Sequence, residues 1–244
     1  MRVDSLLILG PSLVGDSLSV ADAVRIGGES GVDAFVAAPA KPREYLLSIA
    51  NDALAAAAAG KPNLHRLARV DPNQGAGAIA ELRRCVDELG CVGLFLNPDE
   101  ELFRAQDAAP VVRAARDLGI PTVISAGMPA RSEPLQILEL AREVPDATIV
   151  LTSGGQLNIS GLSMVDAWVA LTAHDNLYVL SDGEYRQNYL ERIVRELGAE
   201  RLLFASSAPR FDQRFELARI TNLALSPAER ALVEGENAAR LFVL

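Results

Sequence analysis

Asp182, in Ser181-Asp182-Gly183-Glu184, and Asp71, in Arg69-Val70-Asp71-Pro72, each stand just past a short apolar run. A carboxyl at such a break, desolvated by its neighbours, is suited to general acid or base work. Arg69 precedes Asp71 and Arg210 follows Pro209, and a guanidinium at such a place can clamp a carboxylated ligand. Asn97, Ser125, Ser153 and Ser207 lie at or just beyond the ends of four further apolar runs and offer neutral hydrogen-bonding groups. Each residue also has a plain structural reading. Asp71 serves as a turn acid, Asp182 as a helix cap, and the hydroxyls and amide satisfy one another or hold a trapped water.

Other chemistries are poorly supplied. His65 and His174 are the only histidines, too few for a metal site built from three imidazoles. Both fall before or at the start of an apolar run, away from the other candidates, so a Ser-His-Asp triad is not expected. Lys41 and Lys61 are the only lysines, and Lys41, between Ala40 and Pro42, reads as a solvated loop residue rather than a Schiff-base amine. Cys85 and Cys91 make no disulfide framework and read as small buried apolar residues.

The 244 residues carry 23 basic and 32 acidic side chains, a net charge of −9. That balance argues against nucleic acid or an anionic membrane as a partner. No stretch approaches the ~18 apolar residues of a membrane helix, and the start, with Asp4 among its first residues and Gly10-Pro11 cutting its apolar run, does not read as a targeting segment. A reduced, cytoplasmic protein is expected.

The elements that must position the candidates alternate. Short β-branched runs at 3–9, 34–37, 64–70, 92–96, 122–125, 148–152, 177–181 and 202–205 read as strands covered on both faces. Between them lie segments of 3.6-residue period. Helices are predicted at 75–89, 111–118, 133–143 with Ser132 as its N-cap, and 185–197 ending at Gly198. A last helix opens at Ser226-Pro227-Ala228-Glu229, a capping box with proline in its first turn. Eight strands alternating with helices in a chain of this length predict one α/β domain over 1–244, a (β/α)8 barrel closed by helices at 226–244. Chemistry in that fold sits at the C-terminal strand ends, where the candidates lie.

Those strand ends resemble the amidohydrolase-2 family of metal-dependent hydrolases and decarboxylases. The resemblance is carried by Arg69-Val70-Asp71-Pro72, Gly93-Leu94-Phe95-Leu96-Asn97-Pro98, Val123-Ile124-Ser125-Ala126-Gly127, Ile149-Val150-Leu151-Thr152-Ser153-Gly154-Gly155, Leu203-Phe204-Ala205-Ser206-Ser207-Ala208-Pro209 and the closing stretch from Leu225 to Phe242. It implies a His-x-His pair where Leu6 and Ile8 stand. It implies histidines where Asn97, Ser125 and Ser153 stand, and a metal-binding, catalytic aspartate where Ser207 stands. Every implied ligand is altered. Neutral Ser and Asn are poor ligands for a catalytic ion, and Leu and Ile are none. No metal or other cofactor is therefore expected.

Two readings follow. The first is a non-hydrolytic homologue, a pseudoenzyme that binds a small molecule or partners an active enzyme. The second is a metal-independent hydrolase, lyase or decarboxylase acting on a small carboxylated or cyclic substrate. It would use Asp182 or Asp71 for proton transfer, Asn97, Ser125, Ser153 and Ser207 as hydrogen-bonding groups, and Arg69 and Arg210 to hold the ligand. The resemblance also makes a homodimer the expected assembly.

Overall fold

A computed structural model of the chain describes residues 1–156 and 161–244. Its strands are β1 (Val3–Leu9), β2 (Ala34–Pro39), β3 (Leu64–Arg69), β4 (Gly93–Leu96), β5 (Thr122–Ile124), β6 (Ile149–Leu151), β7 (Leu177–Leu180) and β8 (Leu202–Leu203). All pair in parallel with their sequence neighbours, in the order β1 to β8. The helices that return the chain are α1 (Val20–Glu29), α2 (Leu47–Ala58), α3 (Ala76–Asp87), α4 (Ala109–Asp117), α5 (Pro134–Glu143), α6 (Gly161–Ala173), α7 (Gln187–Leu197) and α8 (Gln213–Thr221). Two more, α9 (Pro227–Ala231) and α10 (Asn237–Phe242), follow as a closing pair joined by a π-helical turn. The fold is a single (β/α)8 barrel. Among the described residues no helix is long and apolar enough to cross a membrane.

Two apolar layers hold it. Strand residues alternate in direction, so Leu6, Val36, Leu67, Phe95, Val123, Val150, Leu180 and Leu203 fill the barrel interior. Their neighbours Leu7, Phe35, Ala68, Leu94, Ile124, Leu151, Val179 and Leu202 pack outward against the helices. The N-terminal face is sealed by Ala238 and Phe242 of α10, which join the interior cluster. Gly235, in the π-helical turn, lets this cap close: a Cβ there would sit 2.1 Å from the Met1 carbonyl oxygen.

The predicted elements differ from the observed ones mainly at their ends. The N-cap of α5 is Glu133, whose N–H donates to Gln136 Oε1 at 3.0 Å and whose carboxylate accepts from Ala130 N–H at 3.2 Å, whereas Ser132 is buried behind it. The segment expected to be helical from 185 stays extended to Arg186, because Asp182 and Glu184 are drawn into other bonds. The capping box at Ser226 and Glu229 forms as predicted. Cys85 and Cys91 are both free and buried.

The barrel closes between β1 and the segment after β8. Ser5 N–H donates to the Phe204 carbonyl at 3.0 Å, Ser207 N–H to that of Leu6 at 2.8 Å, and Ile8 N–H to that of Ala208 at 2.8 Å. Between these rungs the chain carries Ser206 outward, and Asp4 takes up the groups left over. Its carboxylate accepts from Ser206 N–H at 2.8 Å, Ser206 Oγ at 2.6 Å and Gln213 Nε2 at 3.4 Å. Burial dominates these bonds and raises the Asp4 carboxyl from its ordinary 3.8 to about 6. The folded chain thus binds this proton more tightly than the unfolded chain. The stabilisation is complete below pH 3.8 and is lost as pH rises through 6, by about 3 kcal/mol in all. Asp4→Asn keeps the seam's geometry and should flatten that part of the stability profile. Urea unfolding of both proteins between pH 4 and pH 7 measures it, and identical slopes would refute the assignment.

Candidate functional site

The alternation that fills the barrel also selects what projects above it. Two residues beyond the interior residues Leu6, Phe95, Val123, Val150 and Leu180 come Ile8, Asn97, Ser125, Thr152 and Asp182, and Ser207 lies two beyond Ala205, which continues the interior layer after β8. All six line one cavity of about 420 Å³ at the C-terminal end of the barrel. Leu6 and Phe95 form its apolar base, and loop residues including Lys41, Asp99, Met128 and Arg210 surround its mouth.

Asp182 is the centre of the polar wall. It is 1% exposed. Its Oδ1 accepts from Ser153 N–H at 2.8 Å, and its Oδ2 from Ser153 Oγ at 3.2 Å and Ser207 Oγ at 2.8 Å. Ser153 and Ser207 hold left-handed backbone conformations, with φ of 55° and 52°. That conformation costs a non-glycine residue of order 1 kcal/mol or more, and both residues are turned toward the same carboxyl. Burial raises the Asp182 pKa above the ordinary carboxylate range. The bonds from Ser153 and Ser207 and the nearby charge of Arg210 oppose that rise without cancelling it. Behind Asp182, Glu216 accepts from Gly183 N–H at 3.1 Å and pairs with Arg219 at 2.9 Å; burial lifts it to about 7. Gly183 adopts φ 64°, and a Cβ there would meet the Phe211 ring at 2.5 Å.

The other candidates divide. Asn97, Ser125, Ser207 and Arg210 share the cavity with Asp182. Ser153 stands behind Asp182 as its hydrogen-bond donor, and Thr152 takes the cavity-lining position on that strand; its Oγ1 accepts from Ala126 N–H at 3.0 Å. Asp71 does not reach the cavity. It caps the turn at Asn73 and borders a separate hollow of about 220 Å³ beside Leu47 and Glu81. Arg69 points inward but is wholly buried by its own partners, Glu100, Glu101 at 2.8 Å and the Pro39 carbonyl at 3.0 Å. Lys41 is not the solvated residue expected. Its ammonium donates to the Glu100 carbonyl, lies 3.7 Å from Glu101 and lines the cavity. His174 Nδ1 accepts from Asn176 N–H at 3.3 Å in the turn before β7, a structural role far from the mouth.

The family model described as Amidohydrolase matches residues 19–244, and the chain belongs to that family. A gamma-resorcylate decarboxylase from Rhodococcus jostii is 27% identical, the match covering 83% of this chain and 78% of that protein. A solved 2,6-dihydroxybenzoate decarboxylase from Rhizobium superposes with a TM-score of 0.80 at 20% identity, over 99% of this chain and 98% of the other. A dihydroxybenzoic acid decarboxylase from Polaromonas, solved with bound manganese and 2-nitroresorcinol, gives 0.78 at 18% identity, over 100% and 97%.

The residues present here do not fit a resident ion of that kind. Manganese prefers several oxygen or nitrogen ligands, and Leu6 and Ile8 offer hydrocarbon. Both oxygens of Asp182 are already engaged by Ser153 and Ser207. Among the described residues no group of three or more His, Cys, Asp or Glu side chains could hold a metal ion.

The Arg69 cluster yields a stability prediction. Glu101 is 6% exposed, and burial raises its pKa despite the Arg69 and Lys41 charges. Arg69→Met would leave that carboxylate buried without its main partner, at a cost of about 3–5 kcal/mol. The double variant Arg69→Met/Glu101→Leu should recover much of the loss in urea unfolding. Equal stability of Arg69→Met and wild type would show that the pair does not hold this wall.

Proposed function

We propose that this chain is a metal-independent lyase that decarboxylates a small cyclic acid, with Asp182 as proton donor. The observation that carries the reading is the buried Asp182 carboxyl in a cavity that also presents the hydrocarbon of Leu6, Ile8 and Phe95. Burial raises its pKa, which extends upward the pH range in which it holds the proton a decarboxylase delivers to the ring. The decarboxylases among its relatives support the same reaction class, and support it better than a catalytically silent barrel.

The step balances on this chain's own groups. Arg210 attracts the substrate carboxylate to the mouth. The Asp182 carboxyl transfers its proton to the ring carbon that bears the carboxylate. The bond from that carbon to the carboxylate then breaks, its electron pair restores the ring, and carbon dioxide leaves. Ser153 and Ser207 hold the resulting Asp182 carboxylate in place through their three bonds until solvent returns a proton. Asn97 and Ser125 are placed to bond a ring substituent.

The test is release of carbon dioxide from a panel of hydroxylated benzoates. Asp182→Asn should reduce the rate by about 10²–10⁴-fold while leaving the unfolding midpoint near that of wild type. The wild-type rate should fall as pH rises through the raised Asp182 pKa, because the donor must be protonated. Extensive dialysis against a chelator should leave it unchanged. Loss of activity on chelation, or full activity in Asp182→Asn, would overturn the mechanism. No release from any acid in the panel would overturn the reaction class.

A further inference from the structure

The cavity is chemically one-sided, and the order of strands around the barrel says which side is which. Going round from β5, the cavity meets Ser125, Thr152, Asp182 and Ser207 in turn, all polar. The next strand is β1, and there it meets Leu6 and Ile8. Asp182 and Ser207 therefore stand between hydroxyl-bearing strand ends on one flank and a hydrocarbon strand end on the other, above which the loop after β1 adds Ser12 and Asp16. Leu6 is 1% exposed and belongs to the apolar interior, with Ile8 packed against it.

Resting on the cyclic-acid reading above, we infer that Leu6 and Ile8 are specificity-determining residues. They select an acid whose polar substituent flanks the carboxyl on one side only. A ring with its carboxylated carbon at Asp182 presents its two neighbouring positions to opposite flanks. The position facing β5 and β6 finds Ser125 and Thr152. At the level of the strand end the position facing β1 finds Leu6 and Ile8, where a hydroxyl would be desolvated; Ser12 and the exposed Asp16, of the loop after β1, line the cavity further along the chain. A ring with one flanking hydroxyl can turn it to the polar wall. A ring hydroxylated on both sides, such as 2,6-dihydroxybenzoate, must press one hydroxyl against hydrocarbon. This chain would thus take a different ring from the relatives named for that acid.

Isothermal titration with two probes, 2-hydroxybenzoate and 2,6-dihydroxybenzoate, tests this without requiring turnover. Wild type should bind the first at least about tenfold more tightly. Ile8→Thr, which keeps the branched shape and adds one hydroxyl to the apolar wall, should narrow the gap to about threefold or less. Ile8→Val, which keeps the wall apolar, should preserve it and shows that a change of volume alone is not the cause. Equal binding of the two acids by wild type, or an unchanged gap in Ile8→Thr, would overturn the inference while leaving the decarboxylation result standing. Selective binding without carbon dioxide release would do the reverse. Binding of neither probe would remove the cyclic-acid reading and this inference with it.

Discussion

A carboxyl buried at the end of β7 and held from both sides by serines is the constraint on which this site depends. Three bonds converge on Asp182, from Ser153 N–H, Ser153 Oγ and Ser207 Oγ. To deliver them, two non-glycine residues on different strand ends adopt left-handed backbone. Such conformations persist only where the surrounding structure over-determines them. Here the surroundings are the β6–β7 pairing on one side and the β1–β8 seam on the other. The seam in turn rests on Asp4, which satisfies Ser206 next to Ser207. A chain of hydrogen bonds therefore runs from the first strand to the proposed proton donor.

The mouth is organised by a second buried charge system with a different purpose. Arg69 rises from β3 into the position where a cavity-lining group would be expected, but Glu100, Glu101 and the Pro39 carbonyl engage its guanidinium there. Lys41 extends the same cluster to the cavity edge. The cluster fixes the loop after β4 against the loop after β2. It closes the β3 side of the barrel, so the accessible space lies toward β4, β5 and the strands after them.

Most of the fold was legible in the sequence, because eight apolar runs separated by amphipathic segments leave few alternatives to a barrel. At one boundary the change traces to a side-chain bond, where Glu133 replaces Ser132 at the start of α5. The site was half legible. Asp182, Ser207, Ser125 and Asn97 meet as expected, since each lies an even number of residues from an interior strand residue. The same period points to Thr152, two past Val150, whereas the family resemblance points to Ser153. Asp71 lies outside the cavity because the chain leaves β3 and turns at once, and nothing local in Asp-Pro-Asn-Gln distinguishes that turn from a site-facing loop. Arg69 and Lys41 were misplaced for one reason. Their partners, Glu100 and Glu101, lie some thirty to sixty residues away in sequence, in a loop that carries no periodic signal.

Hydrocarbon on β1 and a carboxyl of raised pKa on β7 are physically linked. A carboxylate at a barrel floor beside a divalent ion stays ionised, because the ion's charge outweighs desolvation. Replace the β1 ligands with Leu6 and Ile8 and that compensation is gone; the floor becomes a place where ionisation is costly. A carboxyl there gains by holding its proton, and its oxygens turn to whatever donors are near, which are the two serines. The same substitutions that unfit the floor for an ion therefore convert a would-be ligand environment into that of a Brønsted acid. In the proposed reaction they also place hydrocarbon at one flank of the ring. On that reading reaction type and substrate shape are set together, on a scaffold whose fold is that of its family.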